Sequence, residues 1–184
     1  MFKNSMKAAV LTGLKKIELK EIEIPNPKDD EVLIRLRTVG LCGSDVHYYE
    51  HGKIGKYTVE KPIILGHEAS GEIVKVGKNV TGLKVSQRVS IEPGATCGEC
   101  EHCKEGRYNL CSNVVFLATP PYDGVFCEYA AMRADLVFPI PDSMSYETAA
   151  LVEPFSVGLH AIRRGGLQPN ETVIIMGMGP IGLL

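Results

Sequence analysis

Apolar positions in the first 140 residues fall in short runs that are rich in β-branched side chains and separated by turn residues. Such runs predict strands, because β-branched side chains suit the pleated, half-buried surface of a sheet. The predicted strands are residues 6–12, 17–24, 32–39, 71–76, 84–91, 125–132 and 136–140. Many short strands at this spacing favour a mainly β, partly open barrel or sandwich over a parallel sheet.

The pattern changes after Pro141, where the apolar spacing becomes that of helices. A helix is predicted over residues 146–152, and Pro154 is expected to interrupt it before a second helix over residues 156–164. A short apolar strand is predicted over residues 172–176. The candidate capping residues of the first helix are Asp142, Ser143 and Ser145.

Composition and charge exclude several classes of partner. The 20 Lys and Arg residues are scattered and are balanced by 22 Asp and Glu, which gives a formal net charge of -2. Nucleic acids and anionic membranes both require a basic face. No apolar run has the length of a membrane span, and the N-terminal segment lacks the apolar stretch of a secretion signal. We therefore expect a cytoplasmic protein that binds neither nucleic acid nor membrane.

Four of the six cysteines form a C-x2-C-x2-C-x7-C pattern: Cys97, Cys100, Cys103 and Cys111. In a reducing compartment this spacing predicts a tetrahedral zinc site, which is structural because four thiolates leave no open coordination position. The surrounding residues 93–113, here called the cysteine lobe, are polar, so the metal would replace a missing hydrophobic core. A disulfide-linked loop and an iron–sulfur cluster are the alternatives. His102, between the ligands, is interpreted as a surface residue.

Three other motifs contain candidate ligands that are far apart in the chain: Cys42-Gly-Ser-Asp-Val-His47, Gly66-His67-Glu68 and Glu153-Pro154. Each motif is weak by itself, because a lone Cys is commonly a small buried hydrophobe and a His-Glu pair is commonly a surface feature. Cys127, in an apolar strand-like segment, and His160, on an apolar helix, are interpreted as structural residues.

Taken in order with the cysteine lobe and a G-x-G-P-x-G segment, these motifs resemble the zinc-containing medium-chain dehydrogenase/reductase family. Residues 47–55, 116–124 and 153–164 resemble the branch that oxidises the polyols sorbitol and xylitol. The resemblance implies a GroES-like, partly open β-barrel with short helices and a four-cysteine zinc lobe. It implies a catalytic zinc domain over residues 1–152, then a linker helix and the first strand of a truncated NAD-binding Rossmann domain over residues 153–184.

The resemblance also implies a catalytic zinc beside Cys42, His67 and Glu68, with a water or the substrate oxygen completing its coordination. Glu153 stands where alcohol dehydrogenases of this family have a second Cys ligand. Either Glu68 or Glu153 is therefore a candidate for direct coordination. A zinc ion with an open position acts as a Lewis acid and lowers the pKa of a bound alcohol or water.

A proton relay and a substrate pocket follow from the same resemblance. Ser44 and His47 are implied to carry the hydroxyl proton to solvent, although His47 alone is also compatible with an ordinary surface or core histidine. The residues implied to line the pocket are Tyr48, Phe116, Thr119 and Glu153. Tyr48 and Phe116 are equally compatible with core packing.

Three glycines directly after the predicted strand at 172–176 fit the dinucleotide-binding fingerprint: Gly177, Gly179 and Gly182. The resemblance implies that Ile181 faces the nicotinamide half of the cofactor. The acidic residue that binds the ribose is expected about twenty positions further on. That position lies past Leu184, so this sequence does not distinguish NAD from NADP. The preference for NAD comes from the resemblance alone.

These interpretations lead to several expectations for the 184-residue chain. We expect it to bind two zinc ions but not to oxidise polyols with NAD, because the resemblance places most of the family's cofactor site downstream of Leu184. Residues 172–184 are expected to be unpaired and mobile, or captured by another copy. The full-length enzyme is expected to be a dimer or tetramer. The alternatives are a threonine- or butanediol-type dehydrogenase of the same family and a non-catalytic zinc-binding module.

Overall fold

The computed structural model describes residues 4–184 and is built mainly of antiparallel strands. The strands are β1 (Ser5–Gly13), β2 (Lys16–Glu23), β3 (Glu31–Gly40), β4 (Lys53–Ile54), β5 (Tyr57–Thr58), β6 (Ile63–Ile64), β7 (Glu68–Val76), β8 (Arg88–Ile91), β9 (Gly94–Ala95), β10 (Val115–Phe116), β11 (Tyr129–Arg133) and β12 (Val137–Pro139). The helices are α1 (Gly43–His51), α2 (Glu101–Lys104), α3 (Tyr146–Ala150), α4 (Val152–Gly165) and α5 (Pro180–Leu183). Residues 1–3, which open the predicted unit 1–152, lie outside the described residues.

Two sheets form the curled, partly open barrel that the sequence predicts. The larger sheet has the strand order β11-β3-β7-β8-β12, and the smaller has the order β2-β1-β6. A single antiparallel bridge between Ala8 and Cys127 connects β1 to the approach of β11. Irregularities in the β3–β7 pairing bend the larger sheet, as bulges do. The mainly β, GroES-like architecture expected from the sequence is confirmed.

The main hydrophobic core lies on one face of the larger sheet. Val32, Ile34, Ile73 and Val89 have no exposed surface, and Val125 packs against them from the loop before β11. The alternation of apolar and polar residues in β3 and β7 places these side chains on one face. Burial of each such side chain contributes roughly 1.5–3 kcal/mol to the free energy of folding.

Three predicted strands are shorter than expected. The strand predicted at 136–140 is β12 at Val137–Pro139, because Leu136 ends a short 3-10 helix. β8 begins at Arg88, because residues 84–87 form a turn in which Ser86 has a φ of 67° and the Gln87 N–H donates to the Lys84 carbonyl. The predicted strand at 125–132 begins only at Tyr129. None of these shortenings is visible as a break in the apolar pattern.

The helices differ from the predictions in two places. Pro154 does not interrupt a helix. It lies in the first turn of α4, where a missing N–H costs no intrahelical hydrogen bond. The predicted cap at Ser145 is confirmed, because its Oγ accepts the Thr148 N–H at 3.1 Å. Helix α1, which follows β3 directly, was not predicted from the apolar pattern.

Residues 172–176, predicted to be the first strand of a Rossmann sheet, belong to no strand in the described part of the chain. A strand is defined by its hydrogen-bonded partner, and no described strand pairs with this segment. The side chains of Ile174 and Met176 are accordingly exposed. Helix α5 packs against α4, where Leu184 lies close to Gly158. None of the helices within residues 4–184 is long and apolar enough to cross a membrane.

Candidate metal centre

Three potential ligands converge where β3, α1 and β7 meet. Cys42 is the residue that precedes α1, His67 lies in the loop before β7, and Glu68 is the first residue of β7. One ligand atom from each lies within 4.8 Å of the other two. His67 and Glu68 are buried, and Cys42 is half-buried. We call these three residues the Cys42 cluster.

The pairing of β3 with β7 positions the Glu68 carboxylate. Gly40, the last residue of β3, pairs with Glu68 across the sheet. A Cβ atom at Gly40 would collide with Glu68 Oε2. The absence of a side chain at Gly40 therefore creates the space in which this carboxylate lies.

The Asp45 side chain connects the segment that contains Cys42 to the segment that contains His67. Its Oδ2 accepts the Cys42 N–H at 3.0 Å, and its Oδ1 accepts the Gly66 N–H at 2.9 Å. The same Oδ1 lies 3.9 Å from the Nδ1 atom of His67, and the Asp45 side chain is buried. One carboxylate in the first turn of α1 thus connects the backbone beside two ligands that are 25 positions apart.

The Cys42 cluster fits a transition-metal ion. His67 Nδ1 is buried and has no hydrogen-bond partner within the described residues. Buried polar atoms are normally paired, so an unpaired imidazole nitrogen beside two other potential ligands fits a site that binds an ion. Two atoms bound to one tetrahedral zinc ion lie roughly 3.3–3.8 Å apart, so small side-chain rotations bring all three ligand atoms onto one ion. A thiolate, an imidazole and a carboxylate together suit zinc.

Glu153, in the first turn of α4, lies near enough to Glu68 to sense its charge, but it is not in the group of ligand atoms within 4.8 Å of one another. Burial and the charge of Glu68 raise the pKa of Glu153 to about 7. Glu153 and Phe116 both line a cavity of about 430 Å³ between α4, β8 and the cysteine lobe. The Phe116 ring packs edge-on against His67, with ring centroids 5.5 Å apart. This cavity therefore adjoins the Cys42 cluster.

Of the predicted relay and pocket residues, only Phe116 and Glu153 line the cavity described above. Ser44 is half-buried, while His47 is exposed on α1 and its ring lies beside that of His51. Tyr48 is buried in a hydrophobic cluster, and this burial raises its pKa against the opposing effect of a hydrogen bond with Thr119. Tyr48 and Thr119 are thus neighbours, but neither lines the cavity that contains Glu153.

The four cysteines of the cysteine lobe converge on one point. All four Sγ atoms lie within 4.8 Å of one another. The separations between Cys97 and Cys103, Cys100 and Cys103, and Cys97 and Cys111 are 4.0, 3.5 and 3.5 Å. These values are far above a disulfide bond length, and sulfurs bound to one zinc at about 2.3 Å lie about 3.8 Å apart. The lobe therefore fits a closed tetrahedral site.

Backbone donors in the cysteine lobe favour the thiolate form of one ligand. Hydrogen bonds from the backbone of Glu99 and Cys100 lower the pKa of Cys97 to about 6. Desolvation raises the pKa of Cys103 to about 11. Because metals bind thiolates, the backbone preorganises the lobe for a cation that would also ionise Cys103. His102 is half-buried on α2 and is not part of the four-ligand group.

The glycine-rich segment has the local geometry of its fingerprint. Gly177 has a φ of 102°, which only glycine adopts without strain, and Gly179 caps α5. A Cβ atom at Gly182 would collide with the Gly177 carbonyl oxygen. Ile181 is half exposed on α5. The segment is therefore a tight glycine turn followed by a single helical turn.

Sequence reasoning missed two acidic residues. Asp45 was passed over although it lies between Cys42 and His47, and its position in the first turn of a helix is the signal that could have found it. Glu92 lines the same cavity as Glu153, and burial raises its pKa. Cys127 agrees with its structural interpretation, because it packs in a hydrophobic cluster and its thiol donates to the Tyr129 carbonyl at 3.2 Å.

The curated proteins that the chain resembles include a sorbitol dehydrogenase and several D-xylulose reductases. The chain is 60% identical over 180 residues to sorbitol dehydrogenase of Bacillus subtilis, which covers 98% of this chain and 51% of that protein. It is 47% identical over 176 residues to a probable D-xylulose reductase A of Neosartorya fischeri, with 95% and 49% covered. The chain thus spans about half the length of the curated relatives it matches.

The solved structures that superpose on this chain also include dehydrogenases. An oxidoreductase of unknown specificity from Escherichia coli superposes with a TM-score of 0.93 at 41% identity, covering 97% of this chain and 52% of the other. The 2R,3R-butanediol dehydrogenase of Bacillus subtilis superposes with a TM-score of 0.85 at 40% identity, covering 97% and 53%. Residues 28–142 match the family model of the alcohol dehydrogenase GroES-like domain. The chain therefore belongs to the alcohol dehydrogenase GroES-like family, within the zinc-binding medium-chain dehydrogenases.

Proposed function

We propose that the natural protein containing this chain is a zinc- and NAD-dependent polyol dehydrogenase that oxidises a sugar alcohol, such as sorbitol or xylitol, to a ketose. The observation that carries the proposal is the Cys42 cluster beside a cavity lined by Glu153 and Phe116. The 60% identity to a sorbitol dehydrogenase and the 47% identity to a xylulose reductase support the same substrate class.

Glu153 is the residue that favours a polyol over a simple alcohol. It lies in a cavity together with the apolar ring of Phe116, and its pKa of about 7 lets its carboxyl group exist in both protonation states near neutral pH. A carboxyl group can donate or accept a hydrogen bond to a hydroxyl next to the reacting carbon. A substrate with a single hydroxyl leaves this half-buried group unpaired, which is costly.

Zinc, when bound by Cys42, His67 and Glu68, supplies a Lewis acid at the reacting hydroxyl, and NAD supplies the hydride acceptor. Ser44 and His47 then accept the proton that leaves the substrate hydroxyl and pass it to solvent, a role suited to the exposed position of His47. Phe116 limits the entry of water beside His67. Tyr48 and Thr119 are hydrogen-bonded to each other. Together they fix the position of α1 beside the substrate pocket or bind a further substrate hydroxyl.

The remaining assignments follow from the same proposal. Cys97, Cys100, Cys103 and Cys111 hold a second, structural zinc, so the chain binds two. Residues 1–152 form the catalytic unit, and residues 153–184 begin the NAD-binding unit. Gly177, Gly179, Ile181 and Gly182 contact the cofactor. The enzyme acts in the cytoplasm as a dimer or tetramer, an assembly for which the family provides the expectation.

Steady-state oxidation of a substrate panel by the natural gene product tests the proposal. We expect kcat/KM for sorbitol or xylitol to exceed that for 2,3-butanediol, threonine and ethanol. In Glu153→Gln, kcat/KM for the polyol falls at least tenfold. The reason is that a hydrogen bond between the substrate and a charged carboxylate contributes about 1.5–3 kcal/mol. The matched control is Glu147→Gln on α3, which is exposed and keeps full activity.

Butanediol oxidation is the second candidate function, because a butanediol dehydrogenase is among the structural neighbours at 40% identity. A higher kcat/KM for 2,3-butanediol than for either sugar alcohol would replace the polyol assignment with this one. No NAD-linked turnover of any alcohol by the zinc-loaded gene product would favour a non-catalytic zinc-binding module.

A further inference from the structure

Helix α1 carries two histidines that none of the sites above fully uses. His47 and His51 are four residues apart, so they lie one above the other on the same side of the helix. Their ring centroids are 4.5 Å apart, with the ring planes inclined by 57°. Both residues are exposed, and the side chain of His51 retains 56% of its accessible surface. The two imidazoles therefore face solvent together.

We propose that His47 and His51 form a third metal site, which binds a divalent transition ion such as Ni²⁺, Cu²⁺ or excess Zn²⁺. Imidazole nitrogens suit these ions, and a ring separation of 4.5 Å lets one nitrogen from each ring reach a single ion at about 2.0–2.1 Å after rotation about the side-chain bonds. Water fills the remaining positions. The Glu50 carboxylate, 3.7 Å from His51 Nε2, adds favourable negative charge.

The rigidity of α1 makes this pair a better ligand than two independent histidines. Asp45 and Tyr48 anchor the helix because both are buried, and Gly52 closes its C-terminal end with a φ of 69°. The helix therefore holds the second imidazole close once the first has bound, which raises its effective concentration. Of the other histidines, His67 belongs to the Cys42 cluster, and neither His102 nor His160 has a histidine four positions away.

The site has two protein ligands, whereas the Cys42 cluster has three and the cysteine lobe has four. It should therefore fill last and release its ion first. Among divalent ions the order of affinity is expected to be Cu²⁺ above Ni²⁺, with Zn²⁺ below Cu²⁺.

Occupancy of this site has a consequence for catalysis, which rests on the proposed function. A metal ion on His47 occupies the lone pair that the relay needs to accept a proton. Excess Ni²⁺ should therefore inhibit alcohol oxidation while leaving both zinc ions in place. The inhibition depends on His51, a residue that has no part in the proposed reaction.

Calorimetric titration of the zinc-loaded gene product with Ni²⁺ tests the binding site. We expect one Ni²⁺ site per chain, whose affinity falls at least tenfold in both His51→Gln and His47→Gln. The matched control is His160→Gln, an exposed histidine on α4, which keeps the wild-type affinity. Unchanged Ni²⁺ affinity in His51→Gln, or an equal loss in His160→Gln, overturns the proposal. This readout does not involve turnover, so it is independent of the proposed function.

A second measurement tests the consequence for catalysis. His51→Gln should keep the basal rate of alcohol oxidation and require at least tenfold more Ni²⁺ for half-inhibition. Inhibition by Ni²⁺ at wild-type concentrations in His51→Gln would overturn the link between the site and the relay. If the enzyme oxidises none of the alcohols, the proposed function fails, and the calorimetric result still decides the existence of the site.

Discussion

Asp45 Oδ1 lies 3.9 Å from His67 Nδ1, and both side chains are buried. The same carboxylate accepts hydrogen bonds from the Cys42 and Gly66 N–H groups. Asp45 therefore holds the backbone of Cys42 and the backbone next to His67 in place without being a ligand itself. Outer partners of this kind set the orientation and basicity of metal ligands.

The first prediction concerns Asp45. Asp45→Asn should lower the zinc affinity of the Cys42 cluster by roughly 10–100-fold, because the amide cannot accept both backbone hydrogen bonds or balance the charge beside His67. Competition with a chromophoric chelator measures this affinity. Zinc in the cysteine lobe should be unaffected.

Asp123→Asn is the matched control for this variant. The Asp123 carboxylate also accepts a backbone hydrogen bond, from Ile64 at 2.8 Å, but it contacts neither metal group. An equal loss of zinc affinity in both variants would mean that Asp45 acts on general stability and has no specific effect on the Cys42 cluster.

The second prediction concerns the space beside Glu68. In Gly40→Ala the new Cβ atom collides with the Glu68 carboxylate, which must move away from Cys42 and His67. We expect the affinity of the Cys42 cluster for zinc to fall at least tenfold, as for the loss of a ligand's support. Gly13→Ala, where a Cβ atom meets nothing within 4 Å, should bind zinc normally. Wild-type zinc affinity in Gly40→Ala would remove Glu68 from the ligand set.

The third prediction concerns the cysteine lobe. Cys103→Ser should abolish zinc binding in the lobe and expose the amides of residues 97–111 to rapid hydrogen exchange, because the lobe has little core of its own. Amides of β3 and β7 should stay protected. Cys127→Ser, which changes a cysteine outside both metal groups, should keep the lobe protected. Slow exchange in the Cys103→Ser lobe would show that the metal does not organise it.

The fourth prediction concerns Cys127, whose pKa is raised to about 11 mainly by burial. At pH 8 only about one thiol in a thousand is then ionised, against roughly a quarter for an ordinary cysteine. After removal of zinc, iodoacetamide should label Cys127 at least tenfold more slowly than Cys97, because the zinc-free lobe exposes the Cys97 thiol while Cys127 stays buried. Raising the pH to 10.5 should accelerate labelling of Cys127 more than a hundredfold. Equal labelling rates at pH 8, measured by peptide mass spectrometry, would contradict this environment.

The features that the sequence predicted well are local. Strand β3 follows from alternating apolar residues, and the cysteine lobe follows from ligand spacing within fifteen residues. The cap at Ser145 follows from the preference of hydroxyl groups for that position.

The features that could not be predicted depend on tertiary contacts. The Cys42 cluster joins residues 25 positions apart through the β3–β7 pairing, so only a family resemblance connected them. The burial of Asp45 depends on the approach of Gly66, which the sequence does not reveal. Residues 172–176 have strand composition but no described partner, because β structure requires a neighbouring edge.

Native mass spectrometry after gel filtration counts the zinc ions on the purified chain and so tests whether it holds two separate zinc sites. After gel filtration, which removes an ion held only by His47 and His51, we predict two zinc ions in the wild-type chain, one in Cys42→Ala, one in Cys97→Ala and none in the double variant. Two ions retained in Cys42→Ala, or at most one ion in wild-type chain produced with excess zinc, would contradict the account.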